Sequence, residues 1–175
     1  MTDPSAAKRL LDEALPGCQV RRFDPADLAV LQRCCWVQEA IANDMLTIPA
    51  LHETHDEVLQ WATAWTTFVV RVGGRLVGAV RGIQDGATWD IGRLMVAPDL
   101  AGRGVGSALL QLIESVAPDG TDGFALFTGA KSERNLRLYE RAGYRLTAQP
   151  GPVSGHIAGA VFLRKPRPAP SPTSA

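Results

Sequence analysis

The sequence predicts one α/β domain of the α+β type, a single mixed, mostly antiparallel sheet of about seven strands flanked by about four helices. Two observations carry that prediction. Between residues 68 and 96 three β-rich runs follow one another across the short breaks Gly73-Gly74 and Asp85-Gly86, the pattern of an antiparallel meander. Helical stripes precede and follow it in crossover positions, giving the order β-α-α-β-β-β-α-β-α-β-β.

Each element has a local reason. Met1 to Gly17 is an N-terminal extension with a short helical possibility, Ala6 to Leu15, ended by Pro16-Gly17. Cys18 to Phe23 reads as a strand. Asp24-Pro25 offers an N-cap and a proline at the first helical position, ahead of a stripe of Leu28, Leu31, Cys35 and Ala42. Asn43 to Glu53, with Pro49, reads as a loop. Thr54 and Glu57 form a capping-box pattern before Val58, Trp61, Ala62 and Trp65 at helical spacing. The meander strands are Phe68 to Val72, Arg75 to Ile83 and Thr88 to Val96, the last stopped by Pro98. Gly104 to Ala117 is a helix with Leu109, Leu112, Ile113 and Val116 on one face. Gly123 to Thr128 is a short buried strand. Ser132 is expected to cap a helix ending at Gly143. Tyr144 to Ala148 and Ala160 to Arg164 close the sheet around the loop from Gly151 to Gly159. Residues 18–164 therefore form the domain, and the Pro- and Ser-rich segment 165–175 is a candidate disordered tail.

Composition narrows the function. With 175 residues and 46% of them hydrophobic, one core of ordinary size is expected. Eighteen basic and 18 acidic residues balance to a formal charge of +0, which gives no reason to expect a nucleic-acid surface. Cys18, Cys34 and Cys35 have no metal-ligand spacing and make a poor disulfide framework, so no metal is expected. No apolar signal core and no long uncharged apolar run occur, and a cytoplasmic protein without membrane contact is expected.

Gly102, Gly104 and Gly106 alternate between a strand and the start of a helix. Glycines there let the backbone turn tightly and approach a ligand closely. The first helical N–H groups lack intrahelical partners and the helix dipole favours anions, with Arg103 adding a mobile charge, so a pyrophosphate fits. A Walker loop is excluded, because Gly106 is followed by Ser107-Ala108. A dinucleotide fingerprint fits poorly, with Leu109 where a glycine is needed and a meander where a parallel unit is needed. A glycine-rich helix entry with no ligand accounts for the local pattern about as well.

The flanking residues separate these readings. Ile91-Gly92-Arg93-Leu94-Met95-Val96-Ala97-Pro98 before the turn, and Gly104-Val105-Gly106-Ser107-Ala108-Leu109-Leu110 after it, resemble the GNAT superfamily of N-acetyltransferases. Ser132-Glu133-Arg134-Asn135-Leu136-Arg137-Leu138-Tyr139-Glu140-Arg141-Ala142-Gly143-Tyr144 is similar to that family's second cofactor segment, and the resemblance runs from Phe68 to Arg145. It implies a GNAT fold and acetyl-CoA as acyl donor. Leu94, Met95 and Val96 would meet the thioester and pantetheine through backbone groups, and Gly102, Arg103, Gly104, Val105, Gly106 and Ser107 would meet the pyrophosphate. Ser132 or Asn135 would contact the cofactor from the later segment. The family's glycine motif opens on Gln or Arg, whereas this chain has Ala101, which leaves the backbone cradle intact and removes a polar side chain.

The resemblance also implies direct attack of a neutral amine on the thioester. Tyr139 matches the family's general acid, and a phenol near pKa ~10 can protonate a thiolate whose conjugate acid lies near ~8.5. The same tyrosine also fits simple packing against the sheet. Asp90 stands where several members keep a glutamate base, and equally fits a solvated aspartate after a turn; an ordinary carboxyl near ~3.9 needs desolvation to act near neutrality. Glu39 is an alternative base. The acceptor pocket, by the same resemblance, draws on Trp36, Glu39, Asn43, Asp44, His52 and His55, with His156 opposite. Gly92 is a candidate bulge position. Glu39, Asp44, Glu53, Asp56 and Glu57 gather on the acceptor side, which suits a cationic small molecule or a basic peptide. The expected reaction is transfer to a small-molecule amine such as an amino acid, polyamine or antibiotic. Transfer to a protein N-terminus or lysine, and a CoA-binding sensor without catalysis, are the alternatives. A homodimer is the family-level expectation.

Overall fold

The computed structural model describes residues 4–22, 27–148 and 159–168. Its elements are α1 (Pro4–Ala14), β1 (Gln19–Arg22), α2 (Leu28–Asn43), α3 (Pro49–His52), α4 (His55–Ala64), β2 (Thr66–Val72), β3 (Arg75–Asp85), β4 (Thr88–Val96), α5 (Val105–Ser115), β5 (Gly123–Gly129), α6 (Glu133–Arg141), β6 (Arg145–Thr147) and β7 (Ala160–Pro166). Among the described residues the predicted mixed α/β class and seven strands are present, with six α-helices rather than about four.

The two additional helices have plain causes. In α1 the i, i+4 pair Ala7 and Leu11 is wholly buried in the main core, and the helix packs on α5. In the stretch expected to be loop, Pro49 presets the first helical φ of α3, and Ala50 buries with Ile48 and Ala40 in a small satellite core. One turn is too short for hydrophobic periodicity to reveal. The expected Asp24-Pro25 cap lies outside the described residues. Asp27, directly before α2, has φ 66° and no side-chain capping bond. At α4 the capping box forms as the sequence predicts: the Glu57 amide donates to Thr54 Oγ1 at 3.3 Å and the Thr54 amide donates to Glu57 Oε2 at 2.7 Å.

The sheet order is β1-β2-β3-β4-β5-β7-β6, antiparallel throughout except between β4 and β5. Gly73 and Gly74 have φ 56° and 82°, the mirror-turn geometry that joins twisted strands β2 and β3. On one face lie α1 and α5, where Trp89 Nε1 donates to the Ile113 carbonyl at 3.0 Å. On the other lie α2 and α4. The last strand runs to Pro166, paired with Gly123, so two residues assigned to the tail belong to the sheet. An edge of the ladder tolerates the proline, which lacks a donor.

Beneath α5 a buried ionic group ties the sheet end together. Glu114, 4% exposed, accepts from Tyr144 Oη at 2.8 Å and from Lys165 Nζ at 2.7 Å. Lys165 also lies over the Phe124 and Tyr144 rings.

Candidate active site

A parallel pair of strands that begins in register and then parts makes a wedge-shaped opening. Here β4 and β5 pair only at Thr88 with Gly123, Trp89 with Phe124 and Asp90 with Ala125. Beyond that point β5 continues its pairing with β7 alone, through Leu126 to Gly129. The opening between the two strands is a cleft of about 370 Å³, walled by Ile91 to Leu94 and Val96 of β4, by Phe127 to Gly129 of β5, and by parts of α2, α5 and α6.

The β4 wall is irregular. Ala79 pairs with Met95 and Arg81 with Gly92, so Arg93 and Leu94 together face the single residue Val80. That is a β-bulge, and Arg93 adopts φ 48° within it. The bulge suggested at Gly92 is therefore centred one residue later. It leaves Arg93 and Leu94 without one-to-one partners on β3, beyond the point where β5 has departed. Met95 turns its side chain into the core at 1% exposure and is not among the residues that line the cleft.

Gly102 and Gly104 have φ 82° and 83°, a conformation L side chains rarely adopt, and a Cβ at either would meet nothing within 4 Å. The turn thus faces open space. Gly102, Gly104, Val105, Gly106 and Ser107 line the cleft at the start of α5, while Arg103 does not. Across from them α6 contributes Arg134, Arg137 and Arg141, which the residue-by-residue reading missed although their spacing of three and four puts them on one helical face. Open backbone donors, a helix N-terminus and three guanidinium groups match the charge and shape of a pyrophosphate. Phe127 and Thr128 were also missed, because only the splaying of β5 exposes them to the cleft.

Tyr139 lies on the cleft wall at 7% exposure, its ring edge-on to Tyr144 at 6.1 Å between centroids. Its hydroxyl takes no hydrogen bond among the described residues. Burial, with the Glu39 carboxylate as a second cause, pushes its pKa up from the ordinary phenol value. It stays protonated at any working pH. Asn135 lines the cleft, and its amide donates to Thr128 Oγ1 at 3.4 Å.

Ser132 is placed differently from expectation. It makes no capping bond to α6; its hydroxyl donates instead to Glu39 Oε2 and accepts from Asn43 Nδ2 at 2.9 Å. Asn43 also accepts the Lys131 amide at 3.0 Å. Glu39, Asn43 and Ser132 thereby pin α2 to the β5–α6 junction at the cleft's side, and Gly129 leaves the space that Asn43 fills. Trp36 lines the cleft from α2. Cys35 donates to the Val96 carbonyl at 3.3 Å, and burial raises its thiol to about 11. His52 Nε2 bonds with the Leu46 carbonyl at 2.7 Å, His55 is exposed at the start of α4, and Asp44 ends α2 with φ 54°. His156 lies outside the described residues.

Asp90 sits at the apex of the wedge and is 5% exposed. Burial raises its pKa to about 7, against the opposing charge of Arg81 and the Ile91 amide. It shares a sheet face with Gly92 and with Arg81, the residue paired with Gly92. Around them is a cluster of cations on aromatic faces. Arg81 lies over the Trp65 ring at 3.9 Å and the Trp61 ring at 4.3 Å, and Arg93 lies over Trp36 at 5.2 Å while ion-paired to Glu53. Glu53 also accepts from Gln32 Nε2 at 2.7 Å and Trp61 Nε1 at 3.1 Å. Among the described residues no His, Cys, Asp and Glu group could hold a metal, and no helix is long and apolar enough to cross a membrane.

Comparison with known proteins follows the same lines. The family model described as the acetyltransferase (GNAT) family matches residues 32–144. Among solved structures, the PaiA N-acetyltransferase of Thermoplasma acidophilum in complex with coenzyme A aligns at TM-score 0.72 and 12% identity, covering 86% of this chain and 99% of that one. Ard1 of Thermoplasma volcanium aligns at 0.66 and 22% identity, covering 85% and 97%. YncA, a putative acetyltransferase of Salmonella typhimurium with acetyl-CoA, aligns at 0.63 and 20% identity, covering 89% and 99%. A search of curated protein sequences gives no match.

Proposed function

The chain belongs to the acetyltransferase (GNAT) family, and from that premise we propose that it is an N-acetyltransferase moving an acetyl group from acetyl-CoA to the primary amine of a small molecule by direct attack. The observation that carries this reading is the parting of β4 from β5 at Asp90 and Ala125, which opens one continuous cleft past the Arg93 bulge to the Gly102–Gly106 turn.

Acetyl-CoA supplies the acyl group as an activated thioester. Backbone N–H groups of Gly104, Val105 and Gly106 and the α6 arginines hold its pyrophosphate. The bulged backbone at Arg93 and Leu94 presents donors toward the thioester oxygen, where hydrogen bonds to a developing negative charge lower the barrier most. Tyr139, protonated and with a free hydroxyl, donates a proton to the departing sulfur. Asp90 takes the proton from the acceptor amine, directly or through water. Its pKa of about 7 suits a base that must be ionised at neutral pH yet basic enough to accept a proton.

A peptide or lysine acceptor is less well supported. Three of the five acidic residues that would attract a basic chain are engaged elsewhere: Glu53 with Arg93, Glu57 in the capping box, and Glu39 with Ser132. A catalytically silent sensor needs no free tyrosine hydroxyl on the cleft wall. Thiol release from acetyl-CoA across a panel of amines tests the proposal, with release only in the presence of an amine as the expected result; acetyl-CoA binding without release on any amine would favour the sensor.

A further inference from the structure

On the acceptor side one buried cation makes no direct contact with a carboxylate. Arg81 makes no hydrogen bond or ion pair among the described residues, and its Nε is buried with no acceptor. Its guanidinium is desolvated by the Trp61 and Trp65 rings, and that burial, with the repulsion of Arg93, brings its pKa down to about 9. It remains a cation at neutral pH. Burying a cation against apolar faces without a counter-ion is costly, and stacking on a ring leaves the in-plane N–H edge of a guanidinium available. The neighbouring Arg93 is ion-paired with Glu53, and Glu53 and Asp90 oppose the charge of Arg81 without an ion pair to it.

Arg81 packs directly behind a position of the cleft wall that carries no side chain. Gly92 lines the cleft, and a Cβ there would stand 3.2 Å from Arg81 Nε and 3.8 Å from the Trp65 ring. Asp90 lies two residues away on the same face of the sheet. A base and a forked cation side by side, with aromatic walls, match an acceptor carrying an amine and a planar anion a few bonds apart.

We propose that the acceptor is an amine bearing a carboxylate, of the amino-acid class, and that Arg81 binds the carboxylate while Asp90 meets the amine. The proposal rests on the acetyltransferase reading of the cleft and adds a specificity-determining residue to it. It also reverses the cationic acceptor that the run of acidic residues in the sequence implies.

The test compares matched acceptors, each a common L-amino acid, its carboxamide and its decarboxylated amine, by CoA release from acetyl-CoA with the wild-type chain, Arg81→Met and Arg81→Lys. Calorimetry of acetyl-CoA, and of the free and N-acetylated amino acids in the presence of CoA, is run alongside. The wild-type protein should prefer the acid over its decarboxylated partner by at least about tenfold in kcat/KM, chiefly through KM, as expected for a charge-assisted bidentate contact. Arg81→Met should bring that ratio toward one, and Arg81→Lys should keep part of it, with acetyl-CoA affinity maintained in both. Equal or better use of the decarboxylated amines by the wild type, or a preference for acids that survives Arg81→Met, would overturn the proposal and leave the acetyltransferase reading standing. Acetyl-CoA binding with neither turnover nor binding of any amino acid would overturn it as well. Absence of acetyl-CoA binding would overturn the underlying reading, and this proposal with it.

Discussion

Asp90 and Ala125 are the last residues paired between the two parallel strands, and the strands part immediately beyond them. The carboxyl of Asp90 is desolvated at the point where the strands part, one residue before the cleft wall begins at Ile91. Burial is the first cause of its pKa of about 7. The charged form dominates only above that value. For an acceptor whose amine is mostly neutral, kcat/KM should rise through pH 7 and level off above it, and Asp90→Asn should lose the rise and about 100-fold of the plateau rate. A pH–rate profile of both proteins checks this.

The same residue makes a stability prediction of definite sign. Its folded pKa lies above the ordinary ~3.9 of the unfolded chain, so folding favours the protonated acid. Stability from this group is greatest below pH 4 and is lost as pH climbs to about 7. Asp90→Asn should therefore melt above the wild-type protein at pH 8, and the difference should shrink as pH falls toward 4, as read by thermal unfolding.

Tyr139 has a buried ring and a hydroxyl with no protein partner, so removing the hydroxyl leaves the packing intact. Tyr139→Phe should lower kcat by about 100- to 10,000-fold, the range of a lost general acid, with the acetyl-CoA dissociation constant changed less than about threefold. Single-turnover kinetics with calorimetry separates the two quantities.

Gly104 directly precedes α5 with φ 83° and open space where a Cβ would stand. Gly104→Ala meets no clash, so its cost is conformational, about 1–2 kcal/mol. Any relief by movement of the turn displaces the amides at the start of α5. A lower melting temperature together with weaker acetyl-CoA binding is expected, measured by scanning calorimetry and isothermal titration.

Lys165 offers a control far from the cleft. Its ammonium is one of two donors to the buried Glu114. Lys165→Met would leave that carboxylate with only the Tyr144 hydroxyl, and unpairing a buried charge costs about 3–5 kcal/mol. Denaturant unfolding should show the loss, while KM for acetyl-CoA stays near the wild-type value.

Much of this was legible in the sequence because it is written locally. Paired glycines, a capping box and alternating apolar residues named the meander, α4 and the strand–turn–helix unit around Gly102 to Gly106, since each depends on neighbours within a few positions. The family resemblance implied the fold, whereas the strand order β5-β7-β6 and the parting of β4 from β5 came only with the structure. What stayed hidden depends on contacts between distant segments. Arg93 reads as an ordinary strand residue until the register with β3 makes it a bulge. Ser132 reads as a cap until Glu39 and Asn43, about ninety positions away in sequence, take its hydroxyl. Glu53 reads as part of an acidic surface until Arg93 neutralises it. Arg81 gave no signal at all, because nothing in a single strand's pattern shows that two tryptophans from α4 and its end will cover its side chain and no carboxylate will meet it.

The most direct test of the account is a mass-spectrometric search for acetylated product when the protein is incubated with acetyl-CoA and amines of differing charge. The account predicts an acetyl group on the nitrogen of at least one small-molecule amine, formed with stoichiometric free CoA and slowed strongly in Tyr139→Phe. No acetylated amine despite acetyl-CoA binding, or product formed equally fast by Tyr139→Phe and Asp90→Asn, would contradict it.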